Sequence, residues 1–309
     1  MTSIKRTIFL GAGASIPFFE VPLTTQYLTG RIKQPNIWEG LIPRYNRVID
    51  NDRKIELKVI TDFIDRIKSI NRELDFERII EIIDKVSSYN FDPNTNEKIF
   101  HNILRFYEVD WRVSWQWDGM PFLSRQLIAE QILEVQKKHK VKDYNTLVDL
   151  QSQFFKYATT ERGLSLVSLN YDDIVFDSIE GMGFETGFSK GGFDISAFFE
   201  AKKTVSFLHG HIRFSLYGDD IKYHDSSDQA DQERLGKIKN SSWFKENKET
   251  LQNSPCYNFN TFIVTGQSKE LAFNHNPYAA YYHKLAFDIA TSNEIIIVGY
   301  SFGDDHFNR

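Results

Sequence analysis

Residues 294–303 read EIIIVGYSFG, and this stretch decides the fold. Apolar residues fill positions 295–298, between Glu294 and Gly299. A short apolar run with a glycine at its end predicts a strand that is buried on both faces. Strands of this kind are typical of parallel sheets, in which helices cover both faces. The stretch therefore predicts an α/β protein.

The rest of the chain supports the same class. Further strand-like runs occur at residues 7–10, 164–169, 204–210 and 261–266. Apolar residues repeat at helical spacing over 55–70, 76–87, 122–138, 144–158, 229–249 and 277–291. Strands that alternate with helices favour a mostly parallel sheet with helices on both faces. We predict one domain over residues 1–309, with a core at about 1–30 and 160–309 and a large helical insertion at about 31–159.

Composition excludes several classes of protein. The chain has 309 residues and a formal net charge of −5, which disfavours direct nucleic-acid binding because such proteins carry a basic surplus. Cys256 is the single cysteine, so the chain has neither an intrachain disulfide nor a four-cysteine zinc site, and we expect a cytoplasmic protein. No run of about 18 apolar residues occurs, so no membrane span is predicted.

The end of the last predicted strand spells G-x-S-x-G, with Ser301 at the centre. This is the nucleophile-elbow pattern of α/β-hydrolases, in which the acid and the histidine follow the serine on later strands. Here the acidic residues and the histidine at 304–306 follow too closely, and His209 could serve only in a different chain order. A serine hydrolase stays open as an alternative. We favour a ligand-binding loop in which Ser301 and the neighbouring backbone bind a phosphate or a ribose.

A second glycine-rich loop follows the first strand, in FLGAGAS, residues 9–15. Glycines after a strand allow backbone N–H groups to approach a diphosphate closely, although a tight turn needs the same residues. Ile16 occupies the place of the third glycine of a dehydrogenase fingerprint, and no strand ending in an acid follows about 20 residues later. The sequence therefore disfavours a nicotinamide dehydrogenase.

Polar side chains follow two other predicted strands. Asn170 and Asp172 lie in LVSLNYDD, and His209 lies in VSFLHGH. The carboxyl ends of parallel strands are where open α/β sheets bind ligands, and histidine is suited to act as a base near neutral pH. Other interpretations stay open, because Asp172 can cap the next helix and His209 can be a structural residue or can bind a metal together with His211.

Taken in order, five motifs resemble the sirtuin-like NAD-hydrolysing domains of bacterial anti-phage defence proteins. They are GAGAS (11–15), LNYD (169–172), FLHGH (207–211), VTGQSKE (264–270) and VGYSFGDDHFN (298–308). The resemblance implies a Rossmann-like sheet with NAD+ bound across the strand ends as the substrate, and neither zinc nor another metal. Asn170 and His209 match the catalytic asparagine and histidine, and Asp172 the acid beside the asparagine. The residues that the resemblance assigns to NAD+ binding are Gly11, Ala12, Gly13, Ser15, Tyr171, Gly299, Ser301 and Asp304.

The resemblance implies an NAD+ glycohydrolase that depletes NAD+ on infection. Sirtuin deacylases carry a four-cysteine zinc module, so the lone Cys256 argues against protein deacylation. The alternatives are a non-catalytic NAD+ or ADP-ribose sensor that regulates a partner, and a deacylase or ADP-ribosyl transferase. By the same analogy we expect a homo-oligomer, a second defence-system protein as sensor or regulator, or both.

Overall fold

The computed structural model describes residues 4–46, 55–70, 74–90, 120–189, 192–217, 220–232, 262–265 and 275–302. The strands in these ranges are β1 (Arg6–Leu10), β2 (Leu164–Ser168), β3 (Phe188–Ser189), β4 (Gly192–Phe193), β5 (Lys203–Phe207), β6 (Phe214–Tyr217), β7 (Asp220–Tyr223) and β8 (Glu294–Val298). The α-helices are α1 (Thr25–Ile32), α2 (Pro35–Asn46), α3 (Leu57–Ile70), α4 (Phe76–Asn90), α5 (Met120–Lys138), α6 (Tyr144–Ala158), α7 (Ile174–Ile179), α8 (Ile195–Glu200) and α9 (Tyr278–Thr291).

The fold is α/β and Rossmann-like. A parallel sheet has the strand order β5-β2-β1-β8, with β1 in register with both of its neighbours. Because the chain moves from β1 toward β2 and β5 and later returns to β8 on the other side, the strand order reverses between β1 and β8. Two short antiparallel pairs, β3-β4 and β6-β7, lie outside this sheet.

Helices cover both faces of the sheet, as predicted. On one face, Phe176 of α7 stacks on Phe207 of β5 with ring centroids 4.8 Å apart. On the opposite face, Lys284 of α9 reaches Ser165 of β2. Residues of β1 and β2 are buried almost throughout, which explains their continuous apolar runs. In β8, at the end of the strand order, Ile295 and Ile297 are 45% and 46% exposed, so the prediction that this strand is buried on both faces was wrong.

The described part of the predicted insertion packs closely on the core. Helix α5 is buried over most of its length, and it contacts α1, α2 and α4. Gln136 of α5 and Tyr144 of α6 hydrogen-bond to Asp173 and Asp177 at the start of α7. In the described ranges, none of the helices combines the length and the apolar character that crossing a bilayer would require.

The predicted strand at 261–266 takes a different form in its described residues, 262–265. The segment runs antiparallel to the turn after β5, where His211 N donates to Phe262 O at 2.9 Å and Val264 N to His209 O at 2.8 Å. A single β-bridge joins Ile263 to Gly210. Its apolar side chains are buried against that turn, so the run of apolar residues marks burial there and not a strand of the parallel sheet.

Candidate active site

A cleft of about 740 Å³ lies at the carboxyl edge of the sheet. Its walls include residues that follow all four parallel strands, such as Ala12, Asn170, His209 and Ser301. The loops after β1 and β8 meet where the strand order reverses, which is the place where open α/β sheets bind ligands. The segments that follow the runs at 7–10, 164–169, 204–210 and 294–299 therefore lie together at this edge of the sheet.

The two glycine-rich loops interlock. Gly11 N donates to Val298 O at 2.9 Å, and Gly13 N donates to Gly299 O at 2.8 Å. Gly299 has a φ of +65°, and a Cβ added there would lie 2.1 Å from Ala14 N. Position 299 therefore requires glycine, because its backbone is left-handed and because the other loop approaches it closely.

This packing restricts how the first loop can bind a ligand. Besides Gly11 N and Gly13 N, two more amides of the loop are used, since Ala14 N donates to Gly11 O and Ser15 N to Ala12 O. Ala12 and Gly13 line the cleft, whereas Gly11 and Ser15 are buried behind its wall. Ala12 supplies the remaining amide of the loop. The predicted contacts of these residues with a diphosphate stay a prediction.

A buried hydrogen-bond chain joins the loop after β1 to the loop after β2. Asn170 Nδ2 donates to Gly11 O at 3.0 Å and to Ser15 Oγ at 2.8 Å. Ser15 Oγ in turn donates to Asp172 Oδ2 at 2.6 Å. Both amide hydrogens of Asn170 are thus used, which fixes the orientation of its side chain and presents Oδ1 as its group for a ligand in the cleft.

Asp172 is part of this hydrogen-bond chain, and it also contacts the start of α7. Its Oδ1 accepts from Ile174 N at 3.2 Å, which forms a turn at the start of α7, but the N-cap residue of that helix is Asp173 and not Asp172. Burial raises the pKa of Asp172 to about 6, against the opposing hydrogen bonds from Ser15 and Ile174. Asp172 lines the cleft, and its charge changes close to neutral pH.

Substitution of Asp172 by asparagine should remove part of the pH dependence of stability. Between about pH 4 and about pH 6 the folded protein keeps a proton on Asp172 that the unfolded chain has lost. The free energy of unfolding therefore falls as pH rises through this window, by about 3 kcal/mol from this group. Denaturant unfolding at both ends of the window measures it. A variant with the same pH dependence as the wild type would contradict this assignment.

His209 lies in the turn after β5 and lines the cleft. The turn needs Gly210, whose φ is +83° and whose added Cβ would lie 2.1 Å from Phe262 O. Val264 N holds the His209 carbonyl at 2.8 Å, and the rings of His209 and Tyr171 have centroids 6.2 Å apart. Tyr171 also lines the cleft, so the histidine and the residue next to Asn170 share one wall.

His211 has a structural role. Its Nδ1 accepts from Arg213 N at 3.1 Å, so Nε2 carries the proton and donates to Asp172 O at 2.7 Å. Both ring nitrogens are therefore bound within the protein, and the imidazole is fully buried. These contacts disfavour the alternative in which His209 and His211 bind a metal together. They also hold the backbone of Asp172 in place.

Ser301 lines the cleft on the loop after β8. A nucleophile elbow places its serine at the strained position of the turn. In the described residues of this loop the left-handed positions are Gly299, with a φ of +65°, and Phe302, with a φ of +57°. This geometry favours a binding loop over an elbow. Asp304, which was also assigned to NAD+ binding, lies outside the described residues.

One wall of the cleft comes from helices that sequence reasoning did not assign to the site. The first turns of α1 and α4 line it, together with the residues that precede them and with Tyr300. Thr24 caps α1, accepting from Tyr27 N at 3.2 Å, and Asp75 caps α4, accepting from Arg78 N at 2.8 Å. An aspartate or a threonine before a helix is a typical cap, but a cap alone does not indicate a cleft.

Comparison with known proteins adds no family to this description: neither a family model nor a curated protein matches the chain.

Proposed function

We propose that this protein is an NAD+ glycohydrolase that cleaves NAD+ to nicotinamide and ADP-ribose, and that it depletes NAD+ in bacterial anti-phage defence. One observation carries the proposal. Asn170 and His209 follow neighbouring parallel strands, β2 and β5, and line the same cleft beside the two glycine-rich loops. Both residues were assigned from the sequence to the same reaction.

The cleft suits a nucleotide in size and in chemistry. Its volume of about 740 Å³ is within the range of roughly 300–1,000 Å³ of small-molecule sites. Asn170 Oδ1 and the Ser301 hydroxyl offer hydrogen bonds for ribose hydroxyls, and the Ala12 amide and Arg78 offer hydrogen bonds for phosphate oxygens. Leu23, Leu28 and Tyr300 supply apolar surface for a base.

The residue types fit hydrolysis of an N-glycosidic bond. The bond between C1′ of the ribose and the nicotinamide nitrogen breaks, its electron pair stays on the nitrogen, and nicotinamide leaves neutral. Water adds to the oxocarbenium-like C1′ and loses a proton. We assign to Asn170 the positioning of the ribose hydroxyls and the water, and to His209 the acceptance of a proton from a ribose hydroxyl or from that water.

A protein that destroys NAD+ must be held inactive until infection. We therefore include in the proposal a regulated state, in which either a homo-oligomer or a second protein of the defence system controls access to the cleft. This part rests on the resemblance of the five motifs to the defence family. It concerns when the enzyme is active in the cell, so the reaction itself can be tested separately.

The first test is release of nicotinamide from NAD+ by the purified protein. The wild type should release it, and His209→Ala should be slower by about a hundredfold or more, because loss of a general base typically costs 10²- to 10⁴-fold. His283→Ala, at an exposed position of α9, is the matched control and should equal the wild type. Equal rates for His209→Ala and the wild type would refute the role of His209.

A second outcome of this test would favour a different function. The wild type would then bind NAD+ but release no nicotinamide, even with its native partner present and after infection by phage. That result would favour the non-catalytic sensor of NAD+ or ADP-ribose. Absence of both binding and release would refute the proposal of an NAD+ site.

A further inference from the structure

Helix α6 presents an apolar stripe to solvent. Leu150, Phe154 and Tyr157 are spaced four and three residues apart, and their exposed fractions are 55%, 38% and 82%. Residues at this spacing lie on one side of a helix. A different side of α6, about 100° round the helix from the stripe, is packed in the protein through Tyr144, Phe155 and Ala158. The stripe is therefore additional to the face that holds α6 on the core.

Two opposite charges flank the stripe on one side. Asp149 and Lys156 are both exposed and lie seven residues apart, which is about two helical turns. Within the described part of the chain, no ion pair engages either of these side chains. At about 10 Å along the helix axis they are also too far apart to pair with each other.

We propose that the stripe is an interface between two copies of this chain, in which the α6 helices pack antiparallel across a twofold axis near residues 152–153. In this arrangement Asp149 of each copy lies against the partner's Lys156, which gives two equivalent ion pairs. Leu150 of each copy then lies near the partner's Phe154. A parallel arrangement forms neither ion pair, because Asp149 and Lys156 occupy the same flank of the helix.

The two kinds of contact have different roles. Exposed ion pairs contribute little to affinity, so the apolar stripe supplies the attraction, while the charges select the antiparallel orientation. Three apolar side chains per copy bury less than the roughly 800 Å² per partner of a standard interface. The dimer is therefore weak, and it forms and dissociates with protein concentration. This inference is independent of the reaction that the cleft catalyses.

Sedimentation velocity of the full chain, between about 1 and about 100 µM, tests the interface. The wild type should approach twice the mass of one chain as its concentration rises. Leu150→Glu should raise the dissociation constant about a hundredfold, because it places a charge in the apolar contact. Ile195→Glu, at another exposed apolar position, on α8, should leave the constant unchanged. A wild type that stays monomeric, or a Leu150→Glu variant that dimerises as the wild type does, would overturn the proposal.

Exchange of the charges tests the antiparallel geometry itself. Asp149→Lys or Lys156→Asp alone turns both ion pairs into like-charge pairs, so each should raise the dissociation constant about tenfold. The double variant Asp149→Lys/Lys156→Asp restores two attractive pairs and should return the constant to within about threefold of the wild type. A double variant as weak as the single variants would overturn the pairing, even if the protein dimerised through other residues.

Discussion

Replacement of Asn170 by alanine should lower nicotinamide release by about a thousandfold, in line with the loss of an oriented polar group in other active sites. The substitution removes Oδ1 from the cleft wall and Nδ2 from its bonds to Gly11 O and Ser15 Oγ. The residue also joins the loops after β1 and β2. Steady-state kinetics and NAD+ binding, measured on the same preparation, separate loss of the reaction from loss of the cleft.

Ser15 provides a second test of the same hydrogen-bond chain. Ser15→Ala removes the bridge between Asn170 and Asp172, yet Asn170 keeps its bond to Gly11 O, so we expect a smaller loss of activity than for Asn170→Ala.

Asn145→Ala, at an exposed position of α6, is the matched control for Asn170→Ala. An Asn170→Ala variant with wild-type turnover would refute the assigned role. A variant that stays folded but no longer binds NAD+ would assign Asn170 to binding alone.

The sheet could be predicted because its residues carry the information locally. The runs at 7–10, 164–169, 204–210 and 294–299 became β1, β2, β5 and β8, with ends that differ by at most three residues. The helices over 55–70, 76–87, 122–138, 144–158 and 277–291 were also correct to within two or three residues. Most of the predicted helix at 229–249 lies outside the described residues.

The segment 262–265 shows the limit of this kind of reasoning. Its apolar residues are buried like those of a strand, but they pair with the turn after β5 through Phe262 O and Val264 N. The backbone with which a short apolar segment pairs depends on how the rest of the chain packs around it. Periodicity alone does not contain that information.

The candidate site was predicted only in part for the same reason. Residues that follow strands, such as Asn170 and His209, could be assigned because parallel strands end at one edge. The wall formed by α1 and α4 could not, because it depends on how distant helices pack on the sheet. The close packing of Gly13 against Gly299 could not be predicted either. A sequence does not distinguish a glycine that lies next to a ligand from one that lies next to another backbone segment.

A buried ion pair joins the helical part of the chain to the core, and it supports the second large prediction. The Arg125 guanidinium binds both carboxylate oxygens of Asp84, at 2.8 and 2.6 Å, and also donates to Ile263 O at 3.1 Å. Arg125 is fully buried, and Asp84 is nearly so. The pair therefore links α4 and α5 to the segment beside the turn after β5.

Arg125→Met should lower the free energy of unfolding by about 3–5 kcal/mol, because it leaves the Asp84 carboxylate buried without its cation. Burial already raises the pKa of Asp84, so loss of Arg125 should raise it further, and the loss of stability should be smaller at pH 5 than at pH 8.

Lys138→Met, on the same helix, is the control, because it removes an exposed ion pair with Glu134 and should cost less than about 1 kcal/mol. Asp84→Leu/Arg125→Met removes both charges and should recover much of the loss, because an apolar replacement leaves no buried charge uncompensated. Urea unfolding of the four proteins at both pH values measures these differences. A double variant no more stable than Arg125→Met would show that the lost contacts of Arg125 with backbone carbonyls, and not the uncompensated charge of Asp84, account for the loss of stability.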